Sequence, residues 1–279
     1  KRKTMTEFRL GFATSSGDNL INVLRAKSFN RAFIEQAGLI LPKEAGGYYD
    51  RFRNRIIFPV FDIRNRAIGF GGRVMDNSLP KYINSPETLI YTKGKNLFGL
   101  NLAKDFIRNS DCAIIVEGYL DFIIPYQEGI KNIVASQGTA LTLEQIKLLK
   151  RYTHNIVMIY DGDMAGEIAT LRSLDILIEE GMNVLVAPLP KGMDPDTMVR
   201  QEGVDNLKTK IDKARSLFDY KLGILKSRYD IKEAYGKSKI ASEMLSTINK
   251  FGNAILRGEY TKKLSEEIQV SENYILEEL

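Results

Sequence analysis

Residues 112–121 read CAIIVEGYLD and residues 156–163 read IVMIYDGD. Each is a short, β-rich apolar run that ends abruptly in acid, Glu117 after the first and Asp161 and Asp163 after the second. Two further runs of the same kind, Asn132–Ala135 and Val184–Pro188, flank them, and the intervals carry helical spacing at Leu120–Gln127, Leu143–Tyr152 and Gly166–Glu180. Strands buried on both faces and alternating with helices predict a parallel, Rossmann-like sheet, an α/β fold. Thr142 is placed to cap the second helix and Gly181 to close the third.

In such a sheet the carboxyl ends of the strands face the ligand crevice. The run Lys191-Gly192-Met193-Asp194-Pro195-Asp196 follows the fourth strand, so Glu117, Asp161, Asp163, Asp194 and Asp196 are all delivered to one edge. A lone Asp-Gly-Asp is usually a solvated turn. Three acidic motifs, each directly after a strand of one sheet, are a different case, because their charges repel in a partly desolvated crevice. A hard divalent cation relieves that repulsion, and Mg²⁺ prefers oxygen donors while bridging phosphates. The sequence therefore predicts a metal site for phosphoryl transfer. Asp121 shares a helix face with Glu117 by its spacing and is expected to orient a basic residue rather than touch metal.

Other chemistries are disfavoured. Cys112 and His154 are the only residues of their kinds in 279, which excludes a disulfide framework and the usual Cys/His zinc sites. Cys112 opens an apolar strand and reads as a small buried hydrophobe, and no nucleophile stands with a histidine partner. No Walker loop occurs. Apolar residues make up 44% and charged residues 27%, no run is long enough to span a bilayer, and no signal peptide opens the chain. A soluble, cytoplasmic fragment of a longer protein is the expectation.

Charge is unevenly spread. Residues 1–110 hold 19 Lys and Arg against 9 Asp and Glu, a net of +10, whereas residues 111–279 hold 21 against 26, a net of −5. A basic half beside an acidic centre suits a polyanion next to a cation. Three zones follow: a basic α+β part over 1–110, the metal-binding sheet over 111–203, and a helical bundle over 204–279. In the first zone, helices are expected at Asn19–Ala26, capped by Asp18, and at Phe29–Ala37. Strands are expected at Ile56–Asp62 and Ala67–Val74 around a turn at Ile63–Arg66, then a largely irregular 80–95 and a helix at Leu100–Asn109. Arg51, Arg53 and Arg55 alternate as if on one strand face. The last zone shows helical spacing at Leu207–Lys226, Lys232–Lys250 and Ala254–Ile268, interrupted near Gly252 and Gly258, with no strand signal.

Glu117, Asp161 and Asp163, in this order and on these elements, resemble the acidic signature of the Toprim domain. That domain is shared by DnaG-type primases, topoisomerases and some nucleases. The upstream segments Arg55–Val60, Gly69–Arg73, Pro80–Thr88 and Lys93–Gly99, with Ser136–Ala140 further on, resemble the signature segments of the bacterial DnaG-type DNA primase catalytic core, and the likeness runs to about residue 203. The resemblance implies an RNA polymerase that makes short primers on single-stranded DNA from NTPs. Asp161, Asp163 and Asp194 are then the implied metal ligands with Asp196 close by, while Glu117 either ligates metal or helps deprotonate the attacking hydroxyl. Mg²⁺ is the implied ion, with Mn²⁺ as a substitute.

The same resemblance makes Arg55, Arg73, Lys81 and Lys93 candidates for nucleotide or template phosphates. Tyr82 is expected in the core, with base stacking as the other role. Gly69, Gly71 and Gly72 fit either close approach to phosphate or a twisted hairpin end. The implied partners are template, NTPs and RNA primer, with no membrane, in a bacterial nucleoid-associated setting. The expected zinc-binding module would need clustered Cys and His, so no structural zinc belongs to this stretch. The helicase-interacting domain is expected to be absent, leaving the helicase as a partner only through a part not included here. The alternatives are another Toprim enzyme, a topoisomerase or nuclease, and a non-catalytic DNA-binding Toprim module. The topoisomerase is disfavoured because nothing marks a tyrosine nucleophile.

Overall fold

The computed structural model describes residues 2–138, 141–160 and 175–278. Besides a two-stranded pair, β2 (Ile40–Pro42) and β3 (Tyr48–Asp50), two larger sheets organise it. The first is antiparallel, in the order β1-β4-β5-β6, and uses β1 (Gly11–Ala13), β4 (Arg55–Phe61), β5 (Ala67–Val74) and β6 (Tyr82–Asn84). The β4–β5 hairpin expected from the sequence is present, and its turn is built by Asp62. One oxygen of Asp62 accepts the backbone N–H groups of Arg64 and Arg66 at 2.9 and 3.0 Å, and the other accepts the Arg66 Nε at 2.7 Å.

The second sheet has the order β11-β10-β9-β7-β8: β7 (Ala113–Val116), β8 (Ile133–Ala135), β9 (Asn155–Tyr160), β10 (Asn183–Pro188) and β11 (Arg215–Ser216). β8, β7, β9 and β10 pair in parallel, as the alternating pattern predicts, with Ile115 beside Met158 and Ile159 beside Ala187. β11 adds an antiparallel edge strand, which corrects the expectation that no strand follows residue 204. Two residues are too few to show an alternating pattern. The central strands are covered on both faces. Phe98, Tyr119 and Phe122 lie in the cluster against one face, and Leu100, Ile107, Ile146 and Leu149 in the cluster against the other. Phe58 and Val60 of the first sheet belong to the same cluster as Tyr119, so the two sheets share a core.

Capping residues set several boundaries. Thr142 and Gln145 form the reciprocal box that starts α6 (Leu143–Leu149), with bonds of 3.2 and 3.1 Å. Gly181, at φ +69°, closes the turn after the helical residues 175–179. The rest of the expected Gly166–Glu180 helix lies outside the described residues, as do Asp161 and Asp163. At α2 (Asn19–Ala26), Asp18 makes no side-chain cap. The distant Asp50 takes that role, accepting Leu20 N–H at 2.6 Å and Ile21 N–H at 3.0 Å. A cap supplied from elsewhere in the chain leaves no local signature.

The C-terminal part is helical: α8 (Val204–Asp212), α9 (Leu217–Arg228), α10 (Ala234–Ile248), α11 (Ala254–Ile268) and α12 (Glu272–Glu277), preceded by α7 (Pro195–Glu202). Gly252 separates two helices as expected, but Gly258 sits inside α11 without interrupting it. No helix among the described residues is long and apolar enough to cross a membrane.

Candidate metal and nucleotide site at the sheet edge

Parallel pairing brings the carboxyl ends of β7, β9 and β10 to one edge of the sheet. Glu117 follows β7 directly and opens toward α5 (Tyr119–Gln127). Among the described residues no group donates to its carboxylate, and burial raises its pKa above the ordinary glutamate value. Among the described residues no positive charge compensates it.

Asp121 has a defined part in this arrangement. One oxygen accepts the Gly118 N–H at 3.0 Å and the other the Asp196 N–H at 3.4 Å. It thus ties the start of α5 to the start of α7, and so the Glu117 turn to the Asp194–Asp196 turn. A Cβ on Gly118 would lie 2.5 Å from that carboxylate, which explains the glycine. Asp194 is the N-cap of α7 and accepts Thr197 N–H at 2.6 Å. Asp196 pairs with Arg200 one turn along. The described residues contain no group of three His, Cys, Asp or Glu side chains that could hold a metal by themselves. Glu117, with oxygen donors and no counter-charge among the described residues, fits a hard divalent cation.

The basic candidates divide by environment. Lys81 is exposed. Arg73 lies 5.7 Å over the Tyr82 ring, and its buried Nε has no hydrogen-bond partner among the described residues. Lys93 is half-buried, and that burial lowers its pKa. Arg55 is 7% exposed, and its guanidinium donates to the carbonyls of Pro80 at 2.9 Å, Lys81 at 3.3 Å and Gly72 at 3.5 Å. In this arrangement Arg55 holds the loop that presents Lys81. The predicted row of three arginines is not a strand face, because β4 begins only at Arg55. Arg51 instead binds the Asn84 carbonyl at 3.0 and 3.2 Å, and Arg53 packs over Tyr49.

Tyr82 stacks on Tyr119 at 6.2 Å, as its expected core role requires. Its pKa is raised chiefly by burial. Arg73 opposes the rise, and Asp121, Asp196 and Asp194 add to it, so Tyr82 stands in the field of both the basic and the acidic residues. The glycines of β5 make room for aromatic rings. Gly69 faces the Tyr91 ring, Gly71 the Tyr119 ring and Gly72 the Phe52 ring, and Cβ atoms there would crowd all three.

Residues to which the sequence assigns no role form a cluster around the Tyr119 hydroxyl. The Gln137 Oε1 accepts the Tyr91 hydroxyl at 2.9 Å and lies 3.1 Å from the Tyr119 hydroxyl, which also reaches Asn84 Oδ1 at 2.6 Å. Burial pushes the Tyr91 phenol up to about 12. The only hint in the sequence was that Asn84 and Gln137 fall within signature segments.

Three family models match successive parts of the chain. Residues 1–104 match the family described as DNA primase catalytic core, N-terminal domain, and residues 114–199 match the Toprim-like family. Residues 218–273 match the DnaB-helicase binding domain of primase. This last match corrects the expectation that a helicase-interacting part is absent and that the resemblance fades in the helical tail. Helical periodicity alone carries no partner signature, so the tail read only as a bundle.

The DNA primase of Clostridium acetobutylicum is 43% identical over 276 residues, which are 98% of this chain and 46% of that protein. The chain thus spans about half the length of the curated relatives it matches. A DNA primase domain from Pseudomonas aeruginosa superposes with a TM-score of 0.86 at 37% identity, covering 99% of this chain and 87% of that one. A DnaG primase catalytic domain bound to single-stranded DNA gives 0.85 at 35% identity, covering 95% and 87%. A Toprim domain in a primase implies use of a divalent metal. The chain belongs to the family of bacterial DnaG-type DNA primases, in which it corresponds to the catalytic core with its Toprim domain.

Proposed function

We propose that this chain is the RNA-polymerising core of a replication primase, joining NTPs into short RNA on a single-stranded DNA template. The observation that carries the reading is the juxtaposition at Tyr82, where Arg73 lies over the ring and Asp121, Asp194 and Asp196 are near enough to oppose its effect on the phenol. A polymerising centre needs this neighbourhood of cation-binding acids and phosphate-binding bases. Asp161, Asp163 and Asp194 are the proposed metal ligands, with Asp196 beside them and Glu117 as either a further ligand or the group that takes the proton of the attacking 3′-hydroxyl. Mg²⁺, with Mn²⁺ as a substitute, would neutralise charge on the phosphates. Lys81, Arg73 and Lys93 are proposed to hold nucleotide or template phosphates, and Arg55 to act through the loop it supports. The division at 1–110, 111–203 and 204–279 belongs to the same proposal. Residues 218–273 are proposed to contact the replicative helicase.

The test is synthesis of short RNA from labelled NTPs on single-stranded DNA with Mg²⁺ or Mn²⁺, with a pre-annealed primer in parallel. RNA made by the parent and not by Asp161→Ala supports the reading. DNA relaxation or cleavage in its place would sink it.

Template binding should also be strongly salt-dependent, because phosphate contacts release counterions. Lys81→Ala and Arg73→Ala are each expected to reduce the slope of log affinity against log salt by about 0.7 on a single strand. Fluorescence anisotropy over a salt series checks this, and a flat response in the parent would remove the basic groove from the account.

A further inference from the structure

An open groove lies between the parallel sheet and the C-terminal helices, away from the acidic edge. It has a volume of about 470 Å³, within the size range of binding pockets of about 300–1,000 Å³. Ile178, Met182 and Val184 line one side, and Phe251, Leu256 and Tyr260 the other. Tyr260 stands between two rings, 4.7 Å from Phe218 and 4.8 Å from Phe251, which makes an aromatic wall. At the start of α11, Leu256 is 45% exposed and its neighbour Ile255 is 75% exposed.

The groove is preformed. The Asn253 side chain accepts the Ile255 and Leu256 N–H groups at 2.8 and 3.2 Å, and Arg257 donates to the Phe251 carbonyl at 2.7 Å. Lys250 pins this turn to the helical residues 175–179 through Asp175 at 3.1 Å and Glu179 at 3.3 Å. Fixing a cleft before binding removes part of the ordering cost of association.

We infer that this groove is the seat of an apolar anchor side chain on an amphipathic helix of the replicative helicase. The inference rests on the proposed helicase contact of residues 218–273 and deepens it by giving that contact a place. The wall carrying Phe251, Leu256 and Tyr260 belongs to the segment matching the helicase-binding family. The opposite wall, residues 178–184, lies outside that match, so the docking surface crosses onto the metal-binding sheet. Helix-in-groove recognition uses such an arrangement, with large apolar anchors entering an apolar cleft.

The experiment titrates the full chain with the purified DnaB-type helicase of the same organism by calorimetry. Leu256→Glu is expected to weaken binding at least tenfold. Tyr235→Glu, at another exposed apolar residue of the same segment, should stay within twofold of the parent. Hydrogen exchange on the parent complex should show protection at 178–184 as well as 251–260, and it decides the matter if Leu256→Glu fails to fold. Loss of binding in Tyr235→Glu with parent-like binding in Leu256→Glu, or no protection at 178–184, overturns the groove while leaving the helicase contact standing. No binding by the parent overturns both. Self-association of the chain that Leu256→Glu abolishes would assign the groove to a second copy and overturn the inference.

Discussion

Glu117→Gln is expected to lower nucleotide incorporation on a pre-annealed primer by about 100- to 1,000-fold, the range seen when one electrostatic contributor to a transition state is removed. The substitution keeps the shape of the side chain and removes its charge and basicity. Glu117 is the described carboxylate at the sheet edge that meets no donor among the described residues, whereas Asp194 caps a helix and Asp196 already pairs with Arg200. Asp161→Asn should lose at least as much, since Asp161 is proposed as a direct ligand. Titration with Mn²⁺ separates the two roles open to Glu117. Weakened metal binding marks a ligand, and unchanged metal binding with lost incorporation marks a proton acceptor.

Stability provides an independent readout for the same variant. Burial raises the folded-state pKa of Glu117 above its unfolded value, so between those two values the folded state holds more protons. Stability therefore falls as pH rises through that window and stays lower above it. Glu117→Gln lacks this slope, so without metal it should melt no lower than the parent at neutral pH. Incorporation within threefold of the parent would remove Glu117 from the catalytic site.

The fold was legible where burial imposed a period. β7, β8, β9 and β10 lie where their apolar runs placed them, and the Thr142 cap and Asp62 turn sit beside the elements they shape. What escaped was non-local or too short to have a period. β11 has two residues, and α2 is capped by Asp50 from thirty residues away. At the site, the alternating pattern put Glu117 at a strand end, but it could not reveal that Asp121 binds two backbone N–H groups on different helices. Nor could spacing show that Arg55 points inward, since a strand's first residue can face either way. The β5 glycines have a meaning only once the aromatic rings opposite them are known.

Gly71→Ala is expected to cost about 2–4 kcal/mol, combining overpacking with loss of buried hydrogen bonds. A Cβ at Gly71 would lie 2.6 Å from Cε2 of Tyr119, a ring 2% exposed that stacks on Phe58 at 4.9 Å and meets Phe98 edge-on at 4.8 Å. The ring cannot retreat between those two neighbours, and moving it pulls its hydroxyl from Asn84 and Gln137. Tyr119→Phe isolates the hydroxyl and should cost about 1–2 kcal/mol, because its buried partners lose a donor. Tyr119→Leu removes the ring and leaves a cavity, at about 2–4 kcal/mol. Combining Gly71→Ala with Tyr119→Leu should cost clearly less than the two single effects added, because the new methyl then occupies space the ring has left. Denaturant unfolding of the four proteins measures the coupling. Additive effects would mean that β5 and α5 do not meet through this ring. If they meet as described, Gly71→Ala should also reduce incorporation, because Tyr119 directly follows the Glu117–Gly118 turn and joins it to the sheet that carries Arg73.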